Sequence, residues 1–331
     1  MASLESLPID LNHPAVRQYL ALVRLQVLTP LSLLINIASV LVCVFVVSPS
    51  IRTISKLYPT AISPEPAVIS VYIAAMYLGQ IGYCILLVLV RKPETKKTLT
   101  QGVGLSLVFA NWIMALWAVA WVFEWFLVAT ILQGILLILL LYSNIALLTY
   151  HPPTTARPLD MAFIHAPLRF FLVLQFALMF PLNLFIDLGL THTPIYGTPI
   201  DFNDRDYNDR PWPGFGVVFG TNFVSLIVVA LRRDIVWCVA ATWICVSIWA
   251  LRPKPQVVYI TALVFTIMHP LALIAAYIHA YFYSRAAVEA NGHGAVALSG
   301  DEHPGLAITH PSTESQVRGP REVDPEAVWG Q

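Results

Sequence analysis

The chain has 331 residues, of which 57% are hydrophobic and 11% are charged, against roughly 25% charged residues in an average soluble protein. So few charged side chains cannot cover the surface of a water-soluble fold, which excludes a soluble globular protein. The net charge is zero, with 19 basic and 19 acidic residues, so no nucleic-acid partner is expected.

The first 27 residues carry Glu5, Asp10, Arg17 and Arg24 before any long apolar run. This leader is too long and too mixed in charge for a cleaved signal peptide. We therefore predict a cytoplasmic N-terminal segment over residues 1–27, followed by a first span that acts as its own insertion signal.

A helix needs about 20 apolar residues to cross a hydrocarbon core of roughly 30 Å. This test predicts an all-α, polytopic bundle over residues 28–283 that lies in a lipid bilayer as a multi-pass membrane protein. The eight predicted spans are 28–47, 67–90, 102–123, 126–150, 168–190, 214–231, 234–251 and 256–283.

The distribution of lysine and arginine predicts the orientation of the bundle. With eight spans, one side of the membrane holds 13 of these residues and the other side holds 6. Cytoplasmic loops carry the excess of lysine and arginine. Both termini are therefore expected in the cytoplasm.

Four tryptophans lie between residues 111 and 125, in "NWIMALWAVAWVFEW". At 100° per residue, Asn111, Ala115 and Ala118 share a narrow face of small residues, which favours close packing of a neighbouring helix. Trp112 and Trp117 lie too deep for the membrane interface, so they either face lipid or line a cavity.

The next span carries two amides, Gln133 and Asn144, on one helical face. A buried amide without a partner costs several kcal/mol in hydrocarbon, so this face is expected to point into the bundle. The two side chains either bond neighbouring helices or contact a ligand.

The later spans add two further signals. Gly216 and Gly220 form a G-x-x-x-G pair, which favours helix packing within the bundle or between chains and so a homo-oligomer. Thr266 and His269 share a face of the last span, next to Pro270. An intramembrane histidine beside a helix break indicates a functional residue or one bonded to a neighbouring hydroxyl.

From Ser284 onwards glycine, serine, threonine, proline, glutamate and histidine replace the long apolar runs, so residues 284–331 are predicted to form a disordered cytoplasmic tail. The sequence contains no H-E-x-x-H, G-x-S-x-G, P-loop or G-x-G-x-x-G motif. We therefore expect no enzyme, no catalytic residues, no metal site and no cofactor.

Four blocks, "NWIMALW", "LLTY", "PLRFFLVLQFALMFPLN" and "LRRDIVWCVAATWICVSIW", resemble the long, tryptophan-rich relatives of the TspO/MBR translocator family over about residues 70–283. The whole chain, by length and loop pattern, is also similar to a fungal family of multi-pass membrane proteins of unknown function.

The family pattern has a proline-led helix with an aromatic residue, a tryptophan, a small residue and a terminal asparagine. Pro167, Phe171, Ala177 and Asn183 fill four of these places. The resemblance implies porphyrin or sterol binding, but the tryptophan is replaced by the pair Leu174–Gln175.

These signals support the hypothesis of a non-enzymatic protein that binds a sterol, lipid or tetrapyrrole between its helices. The candidate ligand-binding residues are Trp112, Trp117, Gln133, Asn144, Thr266 and His269. One alternative is a transporter or channel, and a second is a membrane scaffold or assembly protein.

Overall fold

The computed structural model describes residues 14–90, 92–150, 158–191 and 211–294, and the regular elements in these ranges are all helical. The chain divides into two compact units, Met1–Tyr283 and Ser284–Gln331. Within the described ranges we number ten helices: α1 (Pro14–Phe45), α2 (Ile51–Leu57), α3 (Pro66–Leu89), α4 (Pro93–Lys97), α5 (Ser106–Val122), α6 (Phe126–Tyr150), α7 (Pro158–Asp187), α8 (Pro211–Arg232), α9 (Ile235–Ala250) and α10 (Gln256–Gly294).

Helix ends coincide with residues that start or stop helices. Pro66 begins α3, where the missing N–H of proline costs nothing. Asp234 caps α9, because its Oδ1 accepts a hydrogen bond from the backbone N–H of Trp237 at 3.1 Å. Two glycines lie at the C-terminal ends of helical segments. Gly104 (φ +52°) and Gly189 (φ +67°) have the positive φ that glycine adopts without strain.

Six helices, α1, α3, α6, α7, α8 and α10, are long and apolar enough to cross a membrane. A seventh candidate combines Glu94–Val103 with α5, and these two pieces are bent by 45° where Gly104 interrupts the helix. The predicted span 234–251 corresponds to α9, which is a shorter apolar helix of 16 residues. The described helices thus form a multi-span bundle.

Helix α7 lies at the centre of this bundle. Of its most apolar stretch 67% is buried, against 28% for α1, α3, α8 and α10. Three wider π-helical turns occur among the described residues, and α7 contains two of them, Met161–His165 and Gln175–Met179. Such turns redirect the side chains that follow and are frequent at functional sites. Around α7 pack α3, α6 and α9, and α5 packs between α1 and α6.

A buried ion pair joins α7 to the start of α9. The guanidinium of Arg169 lies 2.8 Å from the carboxylate of Asp234, and both side chains are 5% exposed. A buried arginine requires an anion, and the α8–α9 turn supplies it.

The glycine pair of α8 does not pack inside the chain. Gly216 and Gly220 are exposed, and a Cβ placed on either would meet no atom within 4 Å. Among the described residues, nothing therefore packs closely on this glycine pair. Close packing occurs at Gly214 instead, where an added Cβ would lie 2.8 Å from Ala61 and 3.1 Å from Val258.

Two segments of the predicted organisation extend beyond the described residues. Helix α1 begins at Pro14, so the second half of the predicted N-terminal segment 1–27 is helical, while residues 1–13 are outside the description. Of the predicted tail, residues 284–294 continue α10, and residues 295–331 are outside the description.

Candidate functional site

A series of hydrogen-bonded polar side chains connects α1, α3 and α5. The hydroxyl of Tyr77 donates to Asn36 Oδ1 at 3.2 Å, and Asn36 Nδ2 donates to Asn111 Oδ1 at 2.9 Å. Asn111 is fully buried, and its Nδ2 has no hydrogen-bond partner. The face that contains Asn111, Ala115 and Ala118 is thus buried, and its asparagine bonds to α1. This series of hydrogen bonds ends at the Nδ2 atom of Asn111, a buried donor without an acceptor among the described residues.

One turn further along α5, two glutamines converge on a methionine. Gln133 Nε2 of α6 and Gln175 Nε2 of α7 each lie 3.9 Å from the sulfur of Met114. Both amides are fully buried, and the Oε1 atom of each has no hydrogen-bond partner among the described residues. A thioether is a weak acceptor, so these amides are poorly satisfied at both ends. We call Asn111, Met114, Gln133 and Gln175 the amide cluster.

Indole rings flank the amide cluster on the next turn of α5. Trp117 Nε1 donates to Asn183 Oδ1 of α7 at 2.9 Å. The ring of Trp117 packs against Trp121, with 5.7 Å between centroids, and Trp121 contacts Phe126 edge-on. This aromatic group gives the cluster an apolar wall of the kind that lines ligand sites in helical bundles.

Two other predicted ligand-binding residues lie away from this cluster. Trp112 is 42% exposed and points outward, because it is rotated by 100° from the buried Asn111. Asn144 is buried, but its Nδ2 donates to the carbonyl oxygens of Leu140 and Leu168 at 2.9 and 3.4 Å. Trp112 therefore faces the surroundings of the bundle, and Asn144 bonds α6 to α7.

Thr266 and His269 belong to a separate group on the last three helices. His269 is fully buried, and its Nε2 lies 3.3 Å from the carbonyl oxygen of Asn222 on α8. The thiol of Cys245 on α9 donates to Asn222 Oδ1 at 3.0 Å. Thr266 donates to Ala262 within its own helix. The described contacts of His269 are thus with α8 and with Phe265 of its own helix, and they do not connect it to the amide cluster.

The amide cluster is the arrangement with the most unused hydrogen-bonding capacity around α5, α6 and α7. Its unpartnered atoms are one donor, Asn111 Nδ2, and two acceptors, Gln133 Oε1 and Gln175 Oε1. Buried polar groups normally have partners, so three unpartnered ones in a single region indicate a place for a further molecule. No group in it can serve as a nucleophile or a strong acid or base at neutral pH, so it is suited to binding.

Sequence reasoning did not identify Gln175 as a site residue. Its position was noted only because the family pattern has a tryptophan there. The signal that could have found it is an amide in the middle of the apolar run "FFLVLQFALMF", which requires a partner for the same reason as Gln133.

No curated protein and no solved structure matches the chain. One family model, described as TSPO-like protein, matches residues 25–276 and therefore contains every helix from the middle of α1 to the middle of α10. Since this match covers well over half of the chain, and since its helices are long and apolar enough to cross a membrane, the chain is a multi-pass membrane protein of the TSPO-like protein family.

Proposed function

We propose that this protein binds a small apolar or amphipathic molecule, of the sterol, lipid or tetrapyrrole class, within its helix bundle and does not catalyse a reaction. We further propose that α9 completes eight membrane spans and that both termini are cytoplasmic. The observation that carries the binding function is the amide cluster, in which Asn111, Gln133 and Gln175 are buried with unpartnered polar atoms.

The surroundings of the cluster support binding of an apolar molecule. Trp117 and Trp121 form its aromatic side, and Leu136 and Leu172 are among the buried aliphatic residues of α6 and α7. A ligand site in a bundle is mostly apolar with a few polar groups that orient the ligand. The composition around the cluster matches that description.

Native mass spectrometry of the protein released gently from its own membrane tests the proposal. We expect a small molecule to copurify in a defined ratio with the wild type. Trp117→Ala should reduce its occupancy at least about tenfold, since the variant removes the aromatic side of the site. Trp112→Ala, on the exposed face of the same helix, is the matched control and should retain the ligand.

The His269→Ala variant distinguishes the amide cluster from the group on the last three helices. Because His269 contacts Asn222 rather than the cluster, we expect this variant to keep the copurifying molecule. Loss of the molecule in His269→Ala, with retention in Trp117→Ala, would move the site to α8–α10. A clean, ligand-free monomer would contradict the binding function and favour transport.

A scaffold role is the second candidate, and the open face of α8 favours it. Gly216 and Gly220 are exposed without neighbours, and the rings of Phe215, Phe219 and Phe223 stack along the same helix. Exposed glycines let another helix approach closely in a membrane. Crosslinking in the native membrane tests this candidate, and recovery of monomers alone would contradict it.

A further inference from the structure

The two glutamines of the amide cluster both approach Met114, and each has an unpartnered carbonyl oxygen. Gln133 and Gln175 come from antiparallel helices, α6 and α7, and their Nε2 atoms approach the same sulfur of Met114. Their carbonyl oxygens, Gln133 Oε1 and Gln175 Oε1, are both buried and without partners. Among the described residues neither carbonyl oxygen accepts a hydrogen bond from the other amide or from any other donor.

Local backbone geometry contributes to this arrangement. Gln175 is the first residue of the π-helical turn Gln175–Met179, and Pro181 follows that turn. A π-helical turn rotates the following side chains relative to a regular helix, and proline removes one backbone hydrogen bond. At the start of this turn the Nε2 atom of Gln175 approaches Met114 of α5, and Gln175 belongs to the pair that replaces the tryptophan of the family pattern.

A hydroxyl group fits the unused capacity of the two glutamines. Its hydrogen can be donated to a carbonyl oxygen, and its own oxygen can accept from an amide N–H. An ether of the same skeleton has no hydrogen to donate, so it leaves both carbonyl oxygens unpartnered, whereas the hydroxyl satisfies one of them. Burying an unpartnered polar group is unfavourable, so the cluster should reject such a molecule.

The charges around the cluster exclude a carboxylate. Arg169 is a buried cation of α7, but it lies six residues from Gln175, or about 9 Å along the helix axis. Its guanidinium is already paired with Asp234. The buried side chains of α5 and α6 are aliphatic, aromatic, amide, hydroxyl or thioether groups. A buried carboxylate would therefore have no cation to pair with at this level.

We propose that Gln133 and Gln175 make the site selective for a neutral ligand that carries a hydroxyl group, over an ether or a carboxylate with the same skeleton. This inference rests on the proposed function, because it names the ligand chemistry of the same site. Of the sterol, lipid and tetrapyrrole classes, this selectivity disfavours tetrapyrroles with carboxylate side chains.

The test compares three sterol probes that share one ring system: the free 3-hydroxy compound, its 3-methyl ether and its hemisuccinate. Protoporphyrin IX serves as a fourth probe with two carboxylates. Binding to the full-length protein in lipid nanodiscs is measured by competition against a tritiated sample of the hydroxy compound. We expect the wild type to bind the hydroxy compound about tenfold or more tightly than the ether and the hemisuccinate.

The variants Gln133→Leu and Gln175→Leu test whether these two residues cause the preference for the hydroxy compound. Each replaces an unpartnered amide by an apolar side chain of similar size, which does not leave a new buried polar group, so folding is expected. Each variant should weaken the preference for the hydroxy compound over the ether, and the double variant should bind the two compounds within about twofold of each other. Asn144→Leu is the control, because the amide of Asn144 is satisfied by backbone carbonyl oxygens and should not affect the preference.

The outcomes separate this inference from the proposed function. Equal binding of the hydroxy compound and the ether by the wild type overturns the selectivity and leaves the binding function standing. Tighter binding of the hemisuccinate or protoporphyrin IX also overturns it. An unchanged preference in both glutamine variants overturns the assignment to these residues. If no probe binds to the wild type, the proposed function itself fails for the sterol and tetrapyrrole classes.

Discussion

At the scale of single residues, the indole of Trp117 is the polar link between α5 and α7. Its Nε1 donates to Asn183 Oδ1, a buried acceptor. Trp117→Phe keeps an aromatic ring but removes the donor, so the acceptor is left buried without its partner. We expect a loss of about 1–3 kcal/mol in the free energy of unfolding, measured in mixed micelles.

The control for this prediction is Trp112→Phe on the same helix. Its ring is 42% exposed, so the same change should alter stability by no more than about 0.5 kcal/mol. Equal effects of the two substitutions would show that the hydrogen bond to Asn183 contributes nothing to stability.

The four tryptophans of residues 111–125 show what sequence reasoning could predict about side chains. The small face of Asn111 was predicted to face a neighbouring helix, and it contacts α1. Trp121 is 1% exposed, whereas Trp112, which was predicted to lie deep in the span, is 42% exposed. Helix α5 is apolar on every side, so periodicity gives no direction in which to orient it.

Lys254 gives the stability of the fold a pH dependence. It lies in the connection between α9 and α10, and its Nζ donates to the carbonyl oxygens of Ala61 and Ser63 at 3.2 and 2.6 Å. Burial lowers the pKa of Lys254 to about 7, with the carboxylate of Glu65 opposing the shift. In the unfolded chain the pKa is about 10.4, so between pH 7 and about pH 10 the unfolded state binds more protons. The contribution of Lys254 to stability therefore rises with pH in this window.

Thermal unfolding of the wild type and of Lys254→Met across pH 6.5 to 10 measures this contribution. The stability of the wild type relative to the variant is expected to increase as the pH rises through about 7 towards 10. The exposed Lys97, changed to Met, serves as the control and should show no such trend. A constant difference between wild type and Lys254→Met would mean that the ammonium group is not desolvated by folding.

At the scale of helices, the ion pair of Arg169 and Asp234 connects the start of α9 to the central helix α7. Arg169→Met leaves the buried carboxylate without its cation, and we expect a cost of about 3–5 kcal/mol in the free energy of unfolding. The double variant Arg169→Met with Asp234→Asn removes both charges, while the asparagine retains an oxygen that can cap α9. It should therefore recover most of the lost stability.

A double-mutant cycle with the two single variants and the double variant measures this coupling. Arg232→Met, in the exposed part of the same turn, provides a control for loss of positive charge alone. If the single and double variants are equally unstable, the two charges do not stabilise each other and the contact is incidental.

Helix boundaries were predicted best where composition changes sharply. The predicted span 126–150 coincides with α6, and the span 67–90 differs from α3 by one residue at each end. Sequence length alone could not predict the bend of 45° at Gly104, between the segment Glu94–Val103 and α5. The ion pair of Arg169 was also missed, since a contact between distant segments depends on which helices are neighbours.

At the scale of the whole molecule, the orientation depends on whether the short helix α9 crosses the membrane. Its 16 residues span about 24 Å, less than a typical hydrocarbon core of about 30 Å. Its contacts nevertheless connect two different levels of the bundle. At its start Asp234 pairs with Arg169 in the first half of α7, and near its end the carbonyl oxygen of Ser247 accepts from the backbone N–H of Glu65 just before α3.

We therefore expect α9 to cross, so that the connection after α8 is cytoplasmic and the connection before α10 is not. Single cysteines at four exposed positions test this: Lys97 and Arg232 on the expected cytoplasmic side, and Trp125 and Arg252 on the opposite side. The protein is synthesised into sealed microsomes whose outer face is cytoplasmic and treated with an impermeant maleimide.

The cysteines at 97 and 232 should react in sealed microsomes, and those at 125 and 252 only after detergent is added. The pair 97 and 125 lies on either side of α5, whose crossing is the same in the seven-span and the eight-span arrangements, and so calibrates the assay. Identical labelling of positions 232 and 252 would mean that α9 stays on one side. The bundle would then have seven spans and its termini would lie on opposite sides, because each crossing reverses the direction of the chain.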